Sequence, residues 1–195
     1  MVVFRKSILA GIIVSIAAYN YLLNYDTLSK IVFSAALLVI LAMNLNLYTS
    51  KIAKWCCCNE ELTCKVKNIA IILLGNFIAC VIFGYLFSFL GETHAGSIWE
   101  SKMQTPLLIA LFKSIVVGIL MQIAVFSKHD LVTIGIVLLF LGTKTEHSIA
   151  NIVYMSVARA FSLKSLFYIV ICLIGNAIGG SLVYLLNKDD KSASY

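Results

Sequence analysis

A cluster of polar side chains interrupts one of the most apolar stretches of the chain. The segment LLFLGTKTEHSIANIVYM, residues 138–155, places a lysine, a carboxyl group, an imidazole and a primary amide between two apolar runs. An imidazole gains or loses a proton near neutral pH, and its hydrogen bonds decide which state is populated. At the middle of a membrane, His147 could donate a hydrogen bond to a small anion, or a proton to the anion of a weak acid. A transferred proton would remove much of the cost of taking that charge out of water.

The spacing of these residues predicts which of them act together. On a helix beginning near Glu146, His147 and Asn151 are four residues apart and share one face, with Ser148 beside them. Glu146 is rotated by about 100° from His147 on such a helix, so we expect it to face a neighbouring helix or another polar break. The alternative is that His147 is only a structural hydrogen-bonding group between helices.

A second polar interruption, MNLNLYTS, covers residues 43–50. The hydroxyl groups of Thr49 and Ser50 are neutral hydrogen-bond donors, which can bind an anion weakly enough to release it. They could equally cap the half-helix that follows. In the apolar runs before the two breaks, the bulky side chains of Phe33, Leu37 and Phe140 could narrow a pore, or could simply pack.

Two lysines lie within apolar runs, where a charged side chain is a functional candidate by default. Lys113 and Lys144 would raise the positive potential near the breaks, although either could instead pair with Glu146. Lys102 precedes an apolar run and could attract anions to a pore mouth, or could be an ordinary solvated charge.

The composition predicts what surrounds these residues. Of the 195 residues, 61% are hydrophobic and only 12% are charged, and the mean hydropathy is +0.98. Soluble domains have roughly 25% charged residues, so lipid is the expected solvent for most side chains. The net charge of +6 is then expected to set membrane topology. No basic stretch is interleaved with aromatic residues, so nucleic acid is not an expected partner.

Six segments approach the roughly 20 apolar residues that a membrane-crossing helix needs. The apolar N-terminal segment is longer than the core of a signal peptide, so we interpret it as a retained first span. With both termini in the cytoplasm, nine Lys and Arg residues lie on the inner side and four on the outer side, as the positive-inside rule favours. The predicted spans are about 8–25, 31–47, 68–91, 106–126, 131–158 and 163–187. The inner residues are Arg5, Lys6, Lys51, Lys54, Lys65, Lys67, Lys128, Lys188 and Lys191; the outer ones are Lys30, Lys102, Arg159 and Lys164.

The two halves of the chain resemble each other. KSILAGIIVSIA at 6–17 is similar to KSIVVGILMQIA at 113–124, and GNFIACVIFGYL at 75–86 is similar to GNAIGGSLVYLL at 175–186. Three spans per half require the second half to enter from the opposite side, which predicts an inverted repeat with a substrate path at its interface. Chance similarity between apolar segments is the alternative. We therefore predict one all-α membrane domain over residues 1–195, with six transmembrane helices in an aquaporin-like inverted repeat of three plus three, about 6–91 and 106–187. Spans 2 and 5 are predicted to be broken.

Four of the six cysteines lie close together in WCCCNEELTC, as Cys56, Cys57, Cys58 and Cys64. Zinc sites favour spacings such as C-x2-C, which three adjacent cysteines lack. Reduced thiols on a cytoplasmic loop, open to acylation, fit this pattern better than a metal site does. We predict no metal and no cofactor. We also predict no catalytic residue, because the candidate reactive pair of a hydrolase, His147 and Glu146, consists of neighbours in sequence, which point to different faces of a helix.

The motif EHSIAN, flanked by the two Gly-Asn segments, resembles the signature of the formate/nitrite transporter family at its fifth-span break. Glu146, His147, Ser148, Ala150 and Asn151 match that signature, and the turn at 47–50 resembles the family's aromatic-Thr-Ser turn. The resemblance covers roughly residues 6–187. It implies an aquaporin-like protomer that assembles as a pentamer in a cell membrane, with one pore per protomer.

The resemblance also implies roles for individual residues. His147 and Thr49 would contact small monovalent anions such as formate, nitrite, hydrosulfide, acetate or lactate. Phe33 and Phe140 fall where the family has its outer constriction. Leu37 and Leu47 fall near its inner one.

The chain departs from the family pattern at several positions. Asn46 replaces a glutamate in the second-span break, Thr145 replaces an aromatic residue, and Gln122 replaces an asparagine. Lys144 replaces a small or apolar residue, and the family's lysine in span 4 has no counterpart at the same spacing. We predict a channel for small monovalent anions, passive or proton-coupled; a pore for neutral small solutes is the alternative.

Overall fold

The computed structural model describes residues 1–187, and within that range the regular secondary structure is all α-helix, without a strand. Lys188 and Lys191, which entered the count of basic residues, lie outside the described residues. The helices of residues 1–187 are α1 (Val2–Asn24), α2 (Thr27–Ala42), α3 (Tyr48–Cys57), α4 (Leu62–Phe87), α5 (Ala95–Met103), α6 (Leu107–Ser127), α7 (Asp130–Gly142), α8 (Ser148–Val157) and α9 (Leu163–Leu186).

Four of these helices, α1, α4, α6 and α9, are long and apolar enough to cross a membrane. α1 packs along α4, and α6 packs along α9. The second pair approaches most closely at Gly118 and Gly179, where a methyl group would collide with the backbone carbonyl oxygens of Asn176 and Ile115. Small residues let apolar helices pack at this distance, which is how helices associate in lipid, where water does not drive them together.

The remaining apolar helices are short and occur in two pairs. α2 and α3 are separated by the non-helical residues 43–47, and α7 and α8 by residues 143–147. Both α2 and α7 end in the same way: Asn44 and Lys144 adopt left-handed backbone with φ of 47° and 51°. The next amide in each half then bonds back to the helix, from Leu45 to Ile40 at 2.9 Å and from Thr145 to Phe140 at 3.1 Å. This is the hydrogen-bond pattern of a Schellman cap.

Two asparagines hold the helices that restart after these breaks. The Asn76 amide oxygen accepts a hydrogen bond from the backbone N–H of Tyr48 at 2.8 Å, and its nitrogen donates to the carbonyl oxygens of Ser7 and Asn46 at 2.7 and 2.9 Å. Both Asn76 and Asn176 are completely buried.

Asn176 makes the same three bonds in the second half. It accepts from the backbone of Ser148 at 2.9 Å and donates to the carbonyl oxygens of Ser114 and Glu146 at 2.7 and 3.0 Å. The asparagine of each Gly-Asn pair therefore fixes the start of the helix that follows the break.

The structure differs from the sequence-based prediction in three local respects. Cys56 and Cys57 are the last residues of α3 and Cys64 lies in α4, although a loop was expected for these cysteines. Residues 95–103 form the helix α5, where only a polar connection was expected. α8 begins at Ser148 and not near Glu146, so His147 is the N-cap residue with extended backbone and stands outside the helical repeat. The face-sharing argument for His147 and Asn151 assumed that both residues were helical.

Candidate functional site

The two breaks meet at the side chains of Thr49 and His147. The Thr49 Oγ1 and His147 Nε2 atoms are 3.0 Å apart, although the residues are 98 positions apart in the chain. Thr49 is fully buried and His147 is 4% exposed. α3 and α8 begin at these residues, so their first turns bring the hydroxyl group and the imidazole together.

The hydrogen bonds of His147 determine which nitrogen carries the proton. Its Nδ1 accepts the backbone N–H of Ala150 at 3.2 Å and so caps α8. In a neutral ring the proton is then on Nε2, which donates to the Thr49 hydroxyl oxygen. A second proton on Nδ1 would break the capping bond. The arrangement therefore favours a neutral imidazole whose donor side faces Thr49.

Glu146 forms a buried charged cluster beside this pair. Its Oε2 atom accepts from Lys102 Nζ at 2.5 Å and from the Asn151 side-chain amide at 2.8 Å. The Asn151 side chain is therefore turned towards the carboxylate and not towards the imidazole. Glu146 is 1% exposed, and such ionic and hydrogen-bonding partners offset part of the cost of burying a carboxylate. The ion-pair partner of Glu146 is Lys102, not Lys144 or Lys113.

A small cavity joins His147 to the four residues expected to form constrictions. Phe33, Phe140, Leu37 and Leu47 line it together with the imidazole, and its volume is about 10 Å³. The Phe33 and Phe140 rings pack edge to face with their centroids 6.0 Å apart. The Phe140 ring stacks on the imidazole with a centroid separation of 5.5 Å. A single water needs roughly 10–15 Å³, so the space admits no more than a very small, largely dehydrated species.

A larger cavity, which we call the vestibule, lies on the other side of Phe140. Its volume is about 270 Å³, and Phe140 lines both cavities. Lys102, Lys113 and Lys144 line the vestibule together with Glu146. Three cations against one carboxylate give the vestibule a net positive lining, which raises the local concentration of anions.

The other residues singled out by the sequence have identifiable positions. Ser50 Oγ donates to the Leu47 carbonyl oxygen at 2.9 Å, so its hydroxyl group satisfies a backbone carbonyl group at the break. Asn46, which replaces the family glutamate, donates to the Val3 carbonyl oxygen at 3.2 Å and brings no charge to the break. Sequence reasoning did not identify Lys102 as the partner of Glu146, because α5 was not predicted. It also did not identify Tyr154, a vestibule residue whose buried hydroxyl group has no hydrogen-bond partner among the described residues.

The apolar helices, the packing through glycine and the buried polar centre define a multi-pass membrane protein with polar residues buried between its helices. The sequence profile of the formate/nitrite transporter family matches residues 1–187, and the chain belongs to this family. A comparison with curated protein sequences found no match.

Two solved structures show the same fold. One, described as an FNT family ion channel, superposes with a TM-score of 0.80 at 18% sequence identity, covering 96% of this chain and 90% of the other. The second, described as a pentameric formate channel with formate bound, gives a TM-score of 0.75 at 18% identity, covering 94% and 93%. The sequence-based assignment to the family is thereby confirmed.

Proposed function

We propose that the chain is a channel for small monovalent anions of weak acids, such as formate, nitrite or hydrosulfide. The observation that carries this proposal is the 3.0 Å pair of Thr49 and His147 beside a narrow apolar cavity that adjoins the cationic vestibule. The relatives described as an ion channel and as a formate channel support the same class of substrate. The fold and the proposed role favour transport over catalysis.

Topology is part of the proposal. Each short pair, α2 with α3 and α7 with α8, would be one broken span, giving six spans in an inverted repeat of three plus three. The matching caps at Asn44 and Lys144 and the matching bonds of Asn76 and Asn176 support this repeat. Non-helical backbone at membrane depth is tolerated where protein buries it, and paired broken helices commonly frame a substrate site.

An anion would meet the residues of the site in a fixed order. The vestibule lysines attract it, and the aromatic pair of Phe33 and Phe140 removes its water. His147 and Thr49 then offer hydrogen-bond donors that replace part of the lost hydration. Leu37 and Leu47 would form the inner constriction.

Proton coupling has a particular form at this centre. Because Nδ1 of His147 caps α8, a neutral imidazole is a hydrogen-bond donor that stabilises the anion at the narrowest point. The anion of a weak acid can instead take a proton from water in the vestibule, leaving hydroxide there, and cross as the neutral acid, with the same donor bonded to its acceptor atom. Both modes use one geometry, and the acid strength of the substrate would decide between them.

The assembly and the orientation are further parts of the proposal. We propose a homopentamer in a cell membrane, plasma or inner, with both termini in the cytoplasm and lipid around the outside. The pentameric description of one solved relative supports the oligomer. The excess of basic residues on the proposed inner side supports the orientation.

The test is a substrate panel measured in proteoliposomes. Purified protein should carry formate, nitrite, hydrosulfide, acetate or lactate, detected as current or swelling at two pH values, and should not carry chloride or glycerol. Glycerol or water flux without anion uptake would favour the neutral-solute pore. Flux of neither kind, with folded protein in the vesicles, would identify a membrane protein that does not transport.

A further inference from the structure

Three adjacent cysteines lie at the end of α3, next to the start of a long apolar helix. Cys56 and Cys57 are the last residues of α3, and Cys58 is its C-cap residue. α4, which is long enough to cross a membrane, begins at Leu62. The thiols therefore lie near the level at which the chain enters the bilayer. Trp55 precedes them, and tryptophan is a typical residue of the membrane–water interface.

The described residues leave these thiols without a metal or disulfide role. No disulfide joins any of the six cysteines, and no group of three or more His, Cys, Asp or Glu side chains within residues 1–187 could hold a metal ion. Cys56 is exposed, and Cys57 and Cys58 are half-buried. Solvent-accessible thiols next to a membrane span are typical acceptors for acyl chains.

We propose that Cys56, Cys57 and Cys58 form an S-acylation site for long-chain acyl groups supplied as acyl-coenzyme A. A cysteine thiolate attacks the thioester carbonyl carbon, a new sulfur–carbon bond forms, and the bond to coenzyme A breaks. The leaving thiolate takes up the proton that the cysteine released, so the reaction needs no oxidant or reductant. Adjacent cysteines allow two acyl chains, and two chains hold a protein at a membrane where one is only marginal.

The charges around the cluster favour this reaction. Lys51 and Lys54 lie on the same short helix, and Lys65 and Lys67 lie in the first two turns of α4. These four lysines outnumber Glu60 and Glu61, the acidic residues of the connecting segment, so the region is net positive. The lysines attract the phosphates of acyl-coenzyme A and of anionic lipid.

Cys64 is a natural comparison within the same region. It is also exposed, but its thiol donates to the Glu60 carboxylate at 3.0 Å. A neighbouring carboxylate opposes the loss of the thiol proton, so Cys64 is expected to be a poor nucleophile. Cys80 and Cys172 are buried and out of reach of the reagent. Selectivity for the cluster over Cys64 is thus the specific signature of the proposal.

The site would act on the channel through α3. This helix begins at Tyr48, so the segment that presents Thr49 to His147 is ten residues long and ends at the proposed acyl chains. Acylation would fix the far end of that segment at the bilayer surface. The location of the thiols on the cytoplasmic side, where acyl-coenzyme A is made, rests on the orientation given under the proposed function.

The first experiment is acyl exchange on the full chain isolated from its native membranes. Free thiols are blocked with N-ethylmaleimide, thioesters are cleaved with hydroxylamine, and the released thiols are coupled to a poly(ethylene glycol) maleimide of defined mass. We expect at least one hydroxylamine-dependent mass step, lost in C56S/C57S/C58S and kept in C64S. No such step, or one that the triple variant retains, would overturn the proposal. If the triple variant does not accumulate, the three single variants replace it, and each acylated position should lose its own step.

The second experiment places the purified chain in nanodiscs, where both faces are accessible, and adds palmitoyl-coenzyme A. Peptide mass spectrometry should find palmitate on the cluster at several times the extent found on Cys64. Equal labelling of Cys64, or none on the cluster, would contradict the proposal. The readout needs neither transport nor a given orientation, so a failure here is separate from a failure of anion flux.

Discussion

At the scale of single residues, the site depends on the different hydrogen bonds that the two ring nitrogens of His147 make. One caps α8 by accepting from Ala150, and the other faces Thr49. A side chain that holds a helix terminus cannot gain a proton on that nitrogen without losing the cap. The residue is therefore suited to a constant donor role in a narrow, apolar place.

Replacing His147 by Phe keeps a ring against Phe140 but removes the donor. We expect anion uptake to fall about tenfold or more, because a hydrogen bond to a charged group contributes roughly 1.5–3 kcal/mol. Because the imidazole stays neutral while it caps α8, the shape of the pH profile of the remaining uptake, measured in proteoliposomes from about pH 5 to 8, should match that of the wild type. His129→Phe, at an exposed position, is the matched control. An unaltered rate in His147→Phe would remove the imidazole from the mechanism, and an altered pH profile would contradict its constant donor role.

The ion pair of Glu146 and Lys102 gives a second test at this scale. Glu146→Gln or Lys102→Met alone leaves a buried charge without its partner, a change that costs about 3–5 kcal/mol in other proteins. The double variant removes both charges and should unfold at a higher temperature than at least one single variant. Thermal unfolding of all four proteins closes the double-mutant cycle. Additive losses would mean that the two side chains are not coupled.

At the scale of elements, two short helices restart inside the protein because asparagines bind their first turns. Asn76 and Asn176 each satisfy one backbone N–H and two carbonyl groups that a break would otherwise leave unpaired in an apolar setting. Such groups are costly when buried. The breaks are stable because these bonds replace the missing helical ones.

Asn176→Asp tests this positioning role with almost no change in shape. The variant loses both donor bonds and places a carboxyl group against two carbonyl oxygens, so we expect a loss of about 2 kcal/mol or more in the free energy of unfolding. Asn59→Asp, at an exposed position, is the control. Equal stability of the Asn176 variant and the control would show that the amide does not hold α8.

The N-terminus of α2 predicts a dependence of stability on pH. Asp26 accepts from the Ser29 backbone N–H at 2.7 Å, and this bond holds the pKa of the Asp26 carboxyl below its usual value. A lowered pKa stabilises the folded state above the carboxyl's ordinary pKa of about 3.9, and this stabilisation is lost as the pH falls through the lower folded value. Asp26→Ala should therefore melt below the wild type at neutral pH, and the difference should shrink in acid. Asp26→Asn, which can still cap, should show little pH dependence of this difference. A difference in melting temperature between the wild type and Asp26→Ala that is the same at all pH values would contradict the capping role of the Asp26 carboxylate.

At the scale of the whole molecule, much of the exposed surface is apolar, with side chains such as Leu108, Phe112 and Leu163. The protomer mass is 21.5 kDa. Native mass spectrometry from detergent should give a species of about five times that mass if the proposed homopentamer forms. A monomer or dimer, with transport retained in the same preparation, would contradict the pentamer and keep the pore within one protomer.

The sequence alone determined the class of protein and predicted the location of its candidate site. Apolar runs report a lipid environment whatever the fold, and the paired polar breaks and Gly-Asn landmarks are local signals that need no long-range contact to be recognised. His147 and Thr49 were identified in this way before their side chains were placed together.

Only the tertiary structure decided which charges meet. Lys102 and Glu146 are 44 positions apart and come together because α5 packs on α8, and no spacing rule links residues on separate elements. The capping role of His147 likewise depended on where α8 starts. A one- or two-residue difference there moves a side chain from the face of a helix to its end, and a periodic pattern in the sequence does not resolve that difference.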